Sequence, residues 1–280
     1  MTSGLGNEDV TTWPDAAVNG SAEPGFGRDA APDLLLEREL RRTRQLARLG
    51  RLTGGVAYHF NDLLAVIANY AQFVTAAAHQ RDGDDWRQVR DDVGQIIQAA
   101  QRAAQLTRQL MIVAEQDQAS PQVIQLNEVI EATSEQIAAR LGSGITLRYS
   151  LDPRLVPVVA DRGHIELALT CLTDNSVEAI AKGGAVTIRT CNADGTIGAR
   201  PAGRCARLEV RDTGSGISAD VLDKIFDPFF TTKPAGRGAG LGMAVVRAIA
   251  TRSGGRVEVE SEPGAGTSVA MVFPAAPGTD

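Results

Sequence analysis

The sequence predicts an α+β protein: an N-terminal antiparallel helical hairpin that pairs with a second copy into a dimeric four-helix bundle, followed by an α/β sandwich with a mixed sheet. Three observations predict it. Apolar residues recur at three- and four-residue steps from Leu49 to Val113, with one polar interruption. Short alternating runs bounded by Gly, Asp and Pro then interleave with helical patterns. The 280 residues are 43% hydrophobic but only 4% aromatic, with 29 glycines, which provides for an aliphatic core and many turns.

The expected domains are a disordered tail over 1–33, a helical hairpin over 34–118 and a sandwich over 119–280. The tail is rich in Gly, Ala, Pro, Ser, Asn and Asp and has no periodicity. Leu49, Leu52, Val56, Phe60, Leu63, Ile67, Tyr70 and Val74 form the stripe of the first helix. "HQRDGDD" (His79–Asp85) is the turn, with His79 expected in solvent. Val89, Val93, Ile96, Ala100, Leu106, Leu110 and Val113 mark the second helix. One hairpin cannot cover both stripes, so a homodimer is expected. "EQDQASPQ" (Glu115–Gln122) has no pattern and reads as a linker.

In the second half, Asn127 is the expected N-cap of a helix ending at Gly142. "ITLRYSL" (Ile145–Leu151) and "VPVVA" are strands. Asp161 caps a helix to about Ile180, with His164 expected on its surface. "AVTIRT" and "RLEVRD" are strands, "GLGMAVVRAIATRSGG" is a helix with a glycine stop, and "RVEVES" and "TSVAMVF" form a closing hairpin.

Composition excludes several functions. The net charge of −6 argues against a nucleic-acid surface. Cys171, Cys191 and Cys205 share no CxxC spacing, so neither a zinc site nor a disulfide framework is expected, and a reducing cytoplasm fits. No apolar run approaches the ~18 residues of a membrane span, and "MTSGLGNEDV" lacks the regions of a signal peptide. No membrane insertion is expected.

Four segments carry chemistry. In "TCLTDNSVEAI" (Thr170–Ile180), Asn175 offers an amide oxygen suited to Mg²⁺; the alternative is an ordinary solvated Asn. In "EVRDTGSGIS" (Glu209–Ser218), Asp212 ends a strand where it can accept from an adenine amino group. Gly214 and Gly216 allow positive φ and close approach to a flat base; the same string also suits a simple turn. "IFDPFFTTK" (Ile225–Lys233) puts two phenylalanines beside Thr231, Thr232 and Lys233, which reads as a flap near phosphate or as core packing. In "GRGAGLGMAVV" (Gly236–Val246), Gly238, Gly240 and Gly242 lead into a helix N-terminus, an anion site for a polyphosphate. It matches neither a dinucleotide fingerprint nor a Walker A loop.

The order of these segments, closed by "GAGT" (Gly264–Thr267), resembles the ATP-binding domain of sensor histidine kinases, a branch of the superfamily that includes gyrase. "TDNSVEAI" resembles the N box, "DTGSGI" the G1 box, "FDPFFTTK" the F box and "GAGLGM" the G2 box, together covering about Pro121 to Pro274. "LGRLTGGVAYHFNDLLAVI" and "RAAQLTRQL" resemble the dimerisation and phosphotransfer helices whose usual motif is G-G-x-A-H-D-F-N-N-L-L. The resemblance implies an ATP-dependent protein-histidine kinase of a two-component phosphorelay. Asn175 would hold Mg²⁺ and Asp212 the adenine. Gly214, Gly216, Thr232, Lys233, Gly238, Gly240, Leu241, Gly242 and Thr267 would surround the nucleotide, under a lid between Phe226 and Arg237. A response-regulator receiver domain would take the phosphoryl group, and the signal would enter through the tail, the hairpin or a separate sensor protein.

Two motifs depart from that pattern. Tyr58 stands at the usual histidine, His59 at the acidic position beside it, and Asp62 replaces the second Asn. At about 100° per residue, Tyr58 points fully away from the stripe, and His59 lies on its flank, about 70° from the stripe's centre and beside Val56 and Leu63. His59 and Asp62 are i and i+3, so Asp62 can orient the imidazole or take its proton. Three readings stay open: His59 accepts; neither residue accepts and the chain is a degenerate kinase acting as an ATP-binding or receiver-docking scaffold; or Tyr58 accepts, with a phenol of pKa about 10 and an ester product. Cys171 stands one turn before Asn175 where the family has another Asn. A thiol is a poor Mg²⁺ ligand, and a small buried hydrophobe is its ordinary role. Glu178 is placed to add an oxygen, and Glu166 to act as a polar base near the γ-phosphate.

Overall fold

The computed structural model describes residues 60, 63–76, 78, 84–142, 144–197, 200–233 and 239–278. Tyr58, His59, Asp62, Gly238, the tail and most of the hairpin turn lie outside them.

Residues 63–76 are helical (α1), and α2 spans Asp84–Val113. Then come β1 (Gln122–Ile124), α3 (Leu126–Arg140), β2 (Ile145–Ser150), β3 (Val158–Ala160) and α4 (Arg162–Ala179). They are followed by β4 (Gly184–Ile197), β5 (Arg200–Asp212), α5 (Ala219–Leu222), α6 (Gly242–Arg252), β6 (Arg256–Glu262) and β7 (Gly266–Pro274). The α+β class and the mixed sheet hold. Five strands run in the order β2-β4-β5-β7-β6, with β1 and β3 in a separate antiparallel pair. β2 and β4 are parallel because α4 crosses between them; the other neighbours are antiparallel.

The core lies between the sheet and α3, α4 and α6. From α3 come Val129, Ile130 and Ile137, from α4 Ile165 and Leu169, and from α6 Val245 and Ile249. The sheet answers with Ile188, Leu208, Met271 and Phe273. With Val186 beside Ile188, Val210 beside Leu208, and Val269 before Met271 and Phe273, the core residues sit two apart on β4, β5 and β7, the spacing that puts side chains on one face. Ile112 and Val113, the end of α2, belong to the same core. The second hairpin helix is therefore seated on the sandwich by its last turn.

Three expectations are corrected. The segment from Glu115 to Gln122 has no pattern in sequence, yet it is tied down. The backbone oxygen of Asp117 accepts from Arg252 at 2.9 Å, Ser120 N–H donates to Asp161 Oδ2 at 2.7 Å, and β1 already pairs with β3 from Gln122. His164 is not a surface residue. It is 8% exposed, and its Nε2 lies 2.5 Å from Asp117 Oδ2. Asn127 is not a cap: Gln125 holds that position, and α3 ends at Arg140. The Asn127 side chain instead bridges Asp152 O and Thr190 Oγ1. In each case a polar side chain answers a partner distant in sequence, and periodicity carries no trace of that. Asp161 does cap α4, accepting from His164 N–H.

Candidate functional site

A cleft of about 870 Å³ opens between α4, the turn after β5, the loop before residue 234, the start of α6 and the start of β7. The segments that the sequence singled out converge on it. Asn175, Asp212, Gly216, Thr232, Lys233, Gly240, Leu241, Gly242 and Thr267 all line it.

Asp212 is the deepest charged group, 5% exposed at the end of β5. Its Oδ1 accepts from the backbone N–H of Gly214 at 2.8 Å and of Thr267 at 3.2 Å. Its Oδ2 accepts from the Ser176 hydroxyl at 3.1 Å. Burial pushes the carboxyl up from its ordinary value, and these three hydrogen bonds partly offset the rise. An ionised carboxylate has about four acceptor sites, so one further donor, such as an exocyclic amino group, fits its chemistry. Leu172, Ile217, Ile225 and Val269 supply apolar wall around it.

The glycines of the turn serve the chain more than a base. Gly216 has φ +69°, and a Cβ there would stand 1.9 Å from Glu262 O. Gly214 does not line the cleft; its Cβ would meet Ala179 at 2.7 Å. The turn packs so tightly on the end of α4 and on the β6–β7 connection that no side chain fits. Gly240, at φ +66°, passes under Phe229 and Phe230, and Gly240 O accepts from Phe229 N–H at 2.9 Å. Neither phenylalanine is in the core. Phe229 is half exposed, and Phe230 edges the cleft.

Leu241 and Gly242 open α6, whose first backbone N–H groups make an anion site. Opposite stands α4. Cys171 is 4% exposed, and burial pushes its thiol up to about 12. Gln109 Nε2, from α2, donates to its sulfur at 3.3 Å. Gln109 also lines the cleft, which sequence reasoning missed because a Gln in a helical repeat carries no signal. Glu166 lies outside the cleft lining and bonds Arg162 at 3.1 Å, so the expectation of a base near the γ-phosphate is corrected.

Asn175 and Glu178 form a donor pair suited to a small hard cation, and one cation already stands there. Lys233 Nζ pairs with the Glu178 carboxylate and lies 3.4 Å from Asn175 Oδ1. No cluster of three His, Cys, Asp or Glu side chains able to hold a metal occurs among the described residues. A divalent ion here would therefore draw its remaining ligands from nucleotide and water, as Mg²⁺ commonly does. No helix among the described residues is long and apolar enough to cross a membrane.

Comparison with known proteins agrees with this geometry. Residues 160–277 match the family described as histidine kinase-, DNA gyrase B-, and HSP90-like ATPase. The chain is 34% identical over 245 residues to the sensor kinase CckA of Brucella abortus, covering 85% of this chain and 25% of that protein. It is 31% identical over 245 residues to the sensor protein FixL of Bradyrhizobium diazoefficiens, covering 86% and 46%. The chain thus spans between a quarter and a half of these relatives. The crystal structure of full-length ShkA in complex with AMPPNP superposes with a TM-score of 0.61 at 21% identity, covering 82% of this chain and 47% of that one; this likeness concerns the fold.

Proposed function

Residues 160–277 belong to the histidine kinase-, DNA gyrase B-, and HSP90-like ATPase family, in a chain related to sensor kinases, and from that premise we propose that the protein is an ATP-dependent protein-histidine kinase of a two-component phosphorelay. The observation that carries this reading is Asp212, a buried carboxylate fixed by three hydrogen bonds beside an apolar wall and across from a glycine-led helix start. That arrangement accepts an adenine amino group at one end and a polyphosphate at the other.

Each residue takes a role from its place. Asp212 and Thr267 fix the adenine end. Gly240, Leu241 and Gly242 offer backbone N–H groups to the phosphates, together with Thr232, Lys233 and the sequence-adjacent Gly238. Asn175 holds Mg²⁺, which neutralises phosphate charge when bound. Gly214 and Gly216 keep the G1 turn in shape. Positioning and charge stabilisation supply most of what phosphoryl transfer needs. An imidazole nitrogen of His59 attacks the γ-phosphorus, the bond to the ADP oxygen breaks, and Asp62 receives the ring proton. A response-regulator carboxylate then takes the phosphoryl group.

The hairpin supports a homodimer. Leu63, Ile67, Tyr70, Phe73 and Val74 on α1 are all exposed in the single chain. A row of apolar side chains at that spacing needs a cover. Incubation with γ-phosphate-labelled ATP tests the proposal. Acid-labile, base-stable label that disappears in His59→Ala is expected. Acid-stable label that disappears in Tyr58→Phe would move the chemistry to the phenol. Nucleotide binding with no label would reduce the protein to a docking scaffold.

A further inference from the structure

Helix α4 turns four polar or polarisable side chains toward the cleft besides Ser176: Cys171, Asp174, Asn175 and Glu178. Two of them are already committed. Cys171 is a protonated, buried thiol under Gln109, and a thiol suits a hard cation poorly in any case. Asp174 is engaged by Arg140, from α3, at 3.0 and 3.1 Å. Asn175 and Glu178 remain, three residues apart on one helix face, where side chains meet. Glu178 lies in the last turn of α4, which ends at Ala179, and Asn175 just before it. The carbonyl end of a helix favours positive charge. The ammonium of Lys233 reaches across the cleft to both of them.

We propose that Asn175 and Glu178 together form the divalent-cation site of this cleft, and that Lys233 holds the site until a metal–nucleotide complex displaces it. The inference rests on the nucleotide-binding reading and goes beyond it by naming a second protein ligand. Glu178 makes up for the thiol at position 171: a carboxylate replaces the missing oxygen and adds a negative charge. The exchange raises the positive charge of the site by one, which the polyphosphate arriving with the metal offsets. A cation of charge two enters as the lysine leaves, and the freed ammonium is a point charge for the arriving phosphates.

The test is the magnesium dependence of nucleotide affinity, measured by calorimetry with a non-hydrolysable ATP analogue in EDTA and in excess Mg²⁺. In the wild type, Mg²⁺ is expected to tighten binding. In Glu178→Gln that gain falls about tenfold or more, while affinity in EDTA stays at or above the wild-type value, because the lysine is freed there without metal. Cys171→Ala leaves the gain unchanged. Full retention of the gain in Glu178→Gln overturns the proposal, as does a wild type that binds nucleotide equally with and without metal. A wild type that binds no nucleotide overturns the kinase reading itself. A second measurement does not depend on Glu178→Gln folding. Titration with Mn²⁺ alone, followed by electron paramagnetic resonance, is expected to show several-fold tighter binding in Lys233→Met than in the wild type. Equal Mn²⁺ binding in the two overturns the competition between lysine and metal.

Discussion

Asp212 holds a carboxyl whose charge its buried surroundings disfavour. Burial raises its pKa in the folded protein above the ordinary carboxylate value. Between the unfolded and folded values, the folded chain keeps a proton that the unfolded chain has released. Stability from this group is therefore lost as pH rises through that window, and at neutral pH the ionised carboxylate is a cost that its hydrogen bonds partly offset. For the proposed adenine contact the direction reverses, because the ionised form is the better acceptor. ATP affinity is expected to fall as pH drops through the raised pKa of Asp212, and to be flat across the same range in Asp212→Asn. Without nucleotide, Asp212→Asn is expected to melt no lower than the wild type. An equal pH slope in both proteins would count against the adenine assignment.

At the scale of elements, the tie between α2 and the sandwich is the least expected feature. Ile112 and Val113 enter the core, and His164 and Arg252 hold Asp117 just beyond. Removing a buried hydrogen-bond partner costs about 1–3 kcal/mol. His164→Ala is expected to lower the melting temperature by a few degrees. It should also speed amide exchange over residues 115–121, leaving β5 and β7 as protected as before. Uniform loss of protection would mean that the contact serves global stability alone. This contact was not legible in the sequence, since its partners lie 47 and 135 residues apart. What was legible depends on local chemistry. Asp161 caps α4 from the adjacent position. Gly216 takes the positive φ expected of the turn after β5, although Gly214 does not. Asn127 misled because its amide, well suited to a cap, is used across the fold by Asp152 and Thr190. Of the residues singled out in the four segments, Asn175, Asp212, Gly216, Thr232, Lys233, Gly240, Leu241 and Gly242 line the cleft, while Gly214 is spent on packing against Ala179. Gln109 escaped because only the packing of α2 brings it there.

On the scale of the whole molecule, the hairpin and the cleft answer separate needs. The cleft is built within one chain, whereas the stripe on α1 faces outward and needs another surface. Tyr70 and Phe73 are 69% and 70% exposed, the two most exposed large apolar side chains among the described residues. Tyr70→Asp combined with Phe73→Asp is expected to convert a dimer to a monomer by light scattering while leaving nucleotide affinity unchanged. A wild type that is already monomeric at high concentration would remove the bundle from the account. The central claim is the nucleotide cleft, and calorimetric titration with Mg²⁺ and an ATP analogue tests it most directly. The account predicts one nucleotide bound per protomer, weakened about 10–100-fold in Asp212→Asn, the effect of losing a hydrogen bond to a charged group. No heat of binding at millimolar nucleotide, or equal binding by the Asn variant, would contradict it.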